Sequence, residues 1–264
     1  MLPFPVEDAV IDYLDLGLQH GDRGNRMSLL VVAAPRAAID ESVAIVSAAG
    51  MRTVHVEFAG LSLSRLASPN CLLVELHLDS VSVSAVVDGS LRFTRSINGG
   101  LAGMANRLSK TLRVDLEEGL SLLGAIGVEP RGGSPELDYR ALASTGLLDA
   151  NQLREQFASL CATELKTLDQ EIRRSIDFFS RQNDAALPDC FFVESIQVPG
   201  IHDHLAGRLG RELRPLAPQQ GTNASTDGSA HRAWYLGTLV SVGLSSWSPN
   251  GNGTPNRRSL RTVS

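Results

Sequence analysis

The chain opens on alternating apolar and polar positions over residues 9–18, which reads as a strand. Residues 20–26 follow, rich in Gly, Asp and Asn, and predict a turn. The apolar run at 28–34 completes a hairpin as a buried strand. A helix is predicted from Pro35 through Ala49, with Ala37, Ala38, Val43 and Val46 among its apolar positions and Gly50 as its C-terminal cap. Residues 53–58 read as a third strand and 61–67 as a short helix. The order β-β-α-β-α makes a small α/β unit, residues 1–67.

A second unit begins with strands at 71–77 and 80–87. The latter alternates Ser with Val, the pattern of a half-exposed strand. Asp88-Gly89 is a hairpin signal, and residues 91–95 give the next strand. Asn98, Gly99 and Gly100 end the sheet and lead into a helix through about Leu112, with another within 116–126. Residues 130–135 read as a loop. The clearest periodicity is the helix at about 150–182, where Phe157, Leu160, Cys161, Leu165, Leu168, Ile172, Ile176 and Phe179 recur every three or four positions. A strand at 190–194, a helix at about 200–209 and a short strand at 212–214 follow. Residues 218–228 read as a flexible linker, 231–247 as a last helix, and 248–264 as a disordered tail.

Composition narrows the function classes. The 264 residues are 43% hydrophobic and 20% charged, which fits a globular chain with a sizeable core. The net charge of −5 argues against nucleic acid as a partner, because phosphate binding needs a basic face. No uninterrupted apolar stretch is long enough for a membrane span, and no basic-then-apolar leader opens the chain. Cys71, Cys161 and Cys190 cannot all pair within one chain, and each sits among apolar residues. They read as reduced, buried and structural in a cytoplasmic protein. His202 and His204 lie two apart on a predicted helix, so their imidazoles point to different faces and no metal site is expected. No sequence pattern marks a nucleophile with its base.

Several segments, in order, resemble the actin-like PilM protein of type IV pilus assembly and its relative MshI of mannose-sensitive pilus biogenesis. They are residues 2–13 and 29–36, residues 88–95 with Gly99 and Gly100, residues 171–179, residues 198–201 with 204–210, and residues 234–244. The resemblance implies an α/β fold, a partial actin-like ATPase fold. Residues 1–67 would be its inserted α/β subdomain, 68–247 its second lobe and 248–264 a tail. It also implies a first lobe, with a first phosphate loop, ahead of Leu2.

Glycine-rich hairpins bind phosphate because backbone N–H groups approach closely where no side chain intervenes. The resemblance places Glu75, Leu76 and His77 at the family's Asp-x-Gly hairpin. It places Val193, Glu194 and Ser195 where the family carries glycines around adenosine, and Leu122 near a helix position that usually holds Lys. Gly99 and Gly100 survive. The degenerate nucleotide-site positions are therefore Glu75, His77, Gly99, Gly100, Glu194 and Ser195. Bulky and anionic groups there oppose a triphosphate. The ordinary reading is that Glu75 and Glu194 are solvated strand-end residues and that the glycines open a helix. The resemblance implies a non-catalytic scaffold on the cytoplasmic face of the inner membrane. It would need no cofactor and would hold the cytoplasmic peptide of a PilN-like membrane protein, with Arg36 near that groove, and a partial fold predicts self-association. The alternative is an ATP-binding, Mg-dependent PilM-type protein with weak ATPase activity.

Overall fold

The computed structural model describes residues 4–21, 24–128, 150–183, 185–195 and 197–216. The readings at 130–135, 218–228, 231–247 and 248–264 lie outside them. Strands β1 (Ala9–Gly21) and β2 (Gly24–Pro35) pair antiparallel into a two-stranded ribbon, from Ala9 opposite Pro35 to Gly21 opposite Gly24. The register slips between Asp15 and Leu18, where Gly17 takes a φ of 90°. Pro35 pre-sets the entry to helix α1 (Arg36–Ala48), and Gly50 at φ 74° lets the chain leave it. No residue of α1 is buried, so its apolar positions pack only partially.

The strand expected at 53–58 does not form. Residues 51–58 join no ladder, although their exposure still alternates. The outward positions are apolar, Val54 at 82% exposure and Val56 at 47%, and the inward ones are Thr53, His55 and Glu57. Of these, Glu57 binds side chains of the next element. Ser62 Oγ donates to Glu57 Oε2 at 2.7 Å, and the Arg65 guanidinium pairs with the same carboxylate. The segment is thus tied to helix α2 (Ala59–Ser64) and to the residue that caps it.

Strands β3 (Cys71–Leu76), β4 (Ser80–Val87) and β5 (Ser90–Asn98) form an antiparallel meander. Asp88 (φ 51°) and Gly89 (φ 72°) make the left-handed two-residue turn that the twist of a hairpin favours. Helices α3 (Gly100–Leu112), α4 (Leu116–Ile126) and α5 (Ala150–Gln182) follow, with Asp115 Oδ1 capping α4 by accepting from Glu118 N at 2.8 Å. Strand β6 (Asp189–Glu194) pairs parallel with β3. Helix α6 (Ile201–Leu209) returns the chain to the two-residue β7 (Arg214–Pro215), parallel to β6. The sheet order is β5-β4-β3-β6-β7.

Both faces of this sheet are covered. Leu72, Val74, Leu76, Val81 and Val83 meet Leu108, Leu123, Phe157, Cys161, Leu165 and Ile172 of the helices on one face. Cys71, Leu73, Val86, Leu91 and Val193 meet Leu63 of α2 on the other, with Leu30 of the ribbon packed against them. The central residues of β4 are therefore all buried, not half-exposed as its Ser/Val alternation suggests. Ser84 is accommodated because its hydroxyl donates to Thr94 Oγ1 across the strand pair at 3.0 Å. The ribbon also touches the sheet through Arg92, whose guanidinium donates to Leu16 O at 2.7 Å.

Candidate functional site

Glu75, His77, Gly99, Gly100, Glu194 and Ser195 converge at one end of the sheet. β3 and β6 run parallel with Leu76 opposite Glu194, so both strands deliver their C-terminal residues to the same edge. Ser195 N and Oγ donate to Leu76 O at 2.9 and 3.2 Å, closing the two strand ends together. The β3–β4 turn then folds over the start of α3. Gly99 N donates to Asp79 O at 2.9 Å and Leu101 N to His77 O at 3.2 Å, while Ala102 N donates to Leu78 O. Gly99 (φ 121°) is the N-cap and Gly100 the first residue of α3, so the pair opens a helix. Gly100 is required sterically as well: a Cβ there would lie 2.5 Å from Ser80 N and 2.6 Å from His77 O.

Glu75 is not the solvated strand-end residue its type suggests. It is 1% exposed, between neighbours Ser82 and Val193 on the face that carries Cys71 and Leu73. Its Oε2 lies 3.5 Å from His77 Nε2, and Oε1 has no hydrogen-bond partner. Glu194 is half-buried one strand away. These residues do not fit a nucleoside triphosphate. A phosphate cradle needs outward backbone N–H groups and bare glycine. Here the amides of Leu101 and Ala102 are spent on carbonyls of the turn, and the strand end carries a buried carboxylate, Glu75. Leu122 is a buried residue of α4.

The remaining candidates separate cleanly. His202 Nε2 meets Leu213 O at 2.7 Å, while His204 Nε2 meets Asp169 Oδ2 at 3.2 Å. The two imidazoles therefore engage different elements, and no cluster of three metal-ligating side chains occurs among the described residues. The three cysteines are buried free thiols. Burial raises Cys71 to about 12, Cys161 to about 12 and Cys190 to about 11, away from nucleophilic use. Arg36 extends its guanidinium to Ala9 O at 3.4 Å, bracing the ribbon's open end.

Two buried ionic clusters escaped the sequence reading. Asp169 interrupts the apolar face of α5 and is 2% exposed. Its Oδ2 accepts from Arg208 Nε at 2.9 Å as well as facing His204, which fastens α6 to α5. Glu57 is held by Arg65 and Ser62. Burial raises its pKa, but the hydrogen bonds of Arg65 and Ser62 and the charges of Arg65 and His55 outweigh that and hold the carboxyl below its ordinary range. The signal for Asp169 was a charge at a buried position of a strong helical period. For Glu57 there was none.

No protein-family model matches the chain, and no curated protein sequence does. Solved structures do. One described as a PilM-PilN type IV pilus biogenesis complex superposes with a TM-score of 0.65 at 18% identity, over 93% of this chain and 68% of the other. MreB 5 of Spiroplasma citri, bound to AMPPNP, superposes with a TM-score of 0.50 at 8% identity, over 78% of this chain and 63% of the other. The likeness is to part of each longer chain, and the architecture reached here from strand order and packing is the actin-like fold that those structures share.

Proposed function

We propose that the chain is a non-catalytic scaffold of type IV or MSHA-type pilus assembly, peripheral to the inner membrane on its cytoplasmic side. It holds the cytoplasmic peptide of a PilN-like membrane protein. In this reading residues 1–67 are the inserted subdomain, 68–247 the second lobe and 248–264 a tail. The observation that carries it is the superposition of 93% of the chain on a PilM-PilN complex. The scaffold role is supported by the end of the sheet where the resemblance expects a phosphate cradle, because Glu75 is buried there beside His77, with Glu194 on the next strand. No described helix is long and apolar enough to cross a membrane. The ribbon offers the peptide an apolar face, because Ile11, Tyr13, Leu29 and Val31 are exposed on one side of it.

The test has two arms. A PilN-like N-terminal peptide is titrated against the full chain by calorimetry. Saturable binding that Tyr13→Glu and Val31→Asp abolish is the expected result, and absence of binding removes the pilus assignment. Separately, the chain is melted with and without Mg-ATP. A ligand at 100 times its Kd adds about 2.7 kcal/mol of stability, so a clear rise in Tm would replace the scaffold with the ATP-binding alternative. An unchanged Tm is expected.

A further inference from the structure

We propose that the groove between β5 and the C-terminal half of α5 docks an extended acidic segment of a partner protein. Among the described residues β5 is the outermost strand of its sheet, hydrogen-bonded to β4 on one side alone. An outer strand presents a row of unused N–H and C=O groups that a further strand can join. Beside it lies a cavity of about 610 Å³ lined by Phe93, Arg95, Arg174, Asp177, Phe178 and Arg181. Its floor is aromatic. The Phe93 ring centroid lies 5.9 Å from that of Phe178 and 5.8 Å from that of Phe179. Phe179 is buried, whereas Phe178 is 52% exposed among the described residues.

The rim is cationic. Arg95 Nη2 donates to Glu171 Oε2 at 2.9 Å and Nη1 to Ser175 Oγ at 3.3 Å, and Arg174 pairs with the same Glu171. Arg181 forms no ion pair among the described residues. Three guanidiniums thus face two carboxylates, Glu171 and Asp177, on a chain whose net charge is −5. One carboxylate shared by two arginines leaves most of their N–H donors outward, and guanidinium favours carboxylate through paired hydrogen bonds. An added strand points alternate side chains to one face. Acidic residues at those positions would meet the arginines, and an apolar one would cover Phe178.

The full chain is titrated by fluorescence polarisation with a labelled eight-residue probe that alternates glutamate with aliphatic and aromatic residues. A lysine-for-glutamate version is the control. We expect the acidic probe to bind at least tenfold tighter than the control. The double variant Arg174→Glu with Arg181→Glu should weaken it at least tenfold, and Phe178→Ala at least threefold. These side chains are exposed, and an unchanged melting curve confirms that the variants fold. Amide exchange along Ser90–Asn98 should slow when the probe binds. Failure of the acidic probe to bind at millimolar concentration, equal binding of both probes, indifference to charge reversal, or unchanged exchange in β5 overturns the proposal. Concentration-dependent dimerisation abolished by Arg181→Glu would assign the groove to a second copy and overturn it too.

Discussion

Glu57 and Arg65 illustrate how one pair of side chains decides a local structure. Both are largely buried, Glu57 at 3% side-chain exposure and Arg65 at 10%. Removing one partner leaves the other charge buried and uncompensated, at a cost of about 3–5 kcal/mol. Arg65→Met should lower stability by that order in chemical denaturation. The pH dependence follows from the lowered carboxyl. A depressed folded pKa gives stability that is present above the unfolded value and lost as pH falls through the folded one. Arg65→Met should therefore flatten the acid limb of the stability curve. The cysteines act in the opposite sense. Burial lifts Cys71 and Cys161 from 9.0 to about 12, so the stability they contribute is full below pH 9 and falls as pH rises toward 12. A thiol reagent should not label the native chain at pH 8 and should label all three positions in denaturant.

At the scale of elements, the weight is carried by α5 and by the seam between α3 and the β3–β4 turn. Ile172 is fully buried between α5 and the sheet. Ile172→Ala should cost about 2–5 kcal/mol, read as a loss of midpoint in denaturant at unchanged slope. Gly100→Val drives a branched side chain into Ser80 N and His77 O. It should cost more than the strain of a positive φ alone, about 1–3 kcal/mol, and should separate the turn from the helix. The long helix was legible because its apolar period is sustained over many turns. So were β1, β2 and the β3–β4–β5 meander, where turn chemistry at Asp88-Gly89 and apolar runs agree. The extra strand at 53–58 was misread because alternation reports an extended chain and not a ladder. A ladder also needs backbone hydrogen bonds to a neighbouring strand, and residues 51–58 join none among the described residues.

For the whole molecule, the sheet's two covered faces and the ribbon's uncovered one define what it offers to others. Helices α3 to α6 seal one face and α2 the other, so the five-stranded sheet needs no further partner to bury its core. Among the exposed apolar side chains, Ile11, Tyr13, Leu29 and Val31 lie on the ribbon and Phe178 in the β5–α5 groove. Substituting Val31 and Tyr13 with polar residues should leave the melting temperature within about 2–4 °C, because exposed positions contribute within about 0.5 kcal/mol.

The sequence alone determined most element positions and the α/β class, while the grouping of Glu75, His77, Gly99, Gly100, Glu194 and Ser195 as one locus was implied only by the family resemblance. Periodicity and turn residues are local properties, and a local pattern survives in any context. Tertiary structure decided that Glu75 is buried, that β4 is covered on both sides, that Asp169 fastens two helices and that residues 51–58 bind α2 through Glu57. Burial and ion pairing depend on which distant segments arrive beside a residue, and no spacing along the chain encodes that arrival.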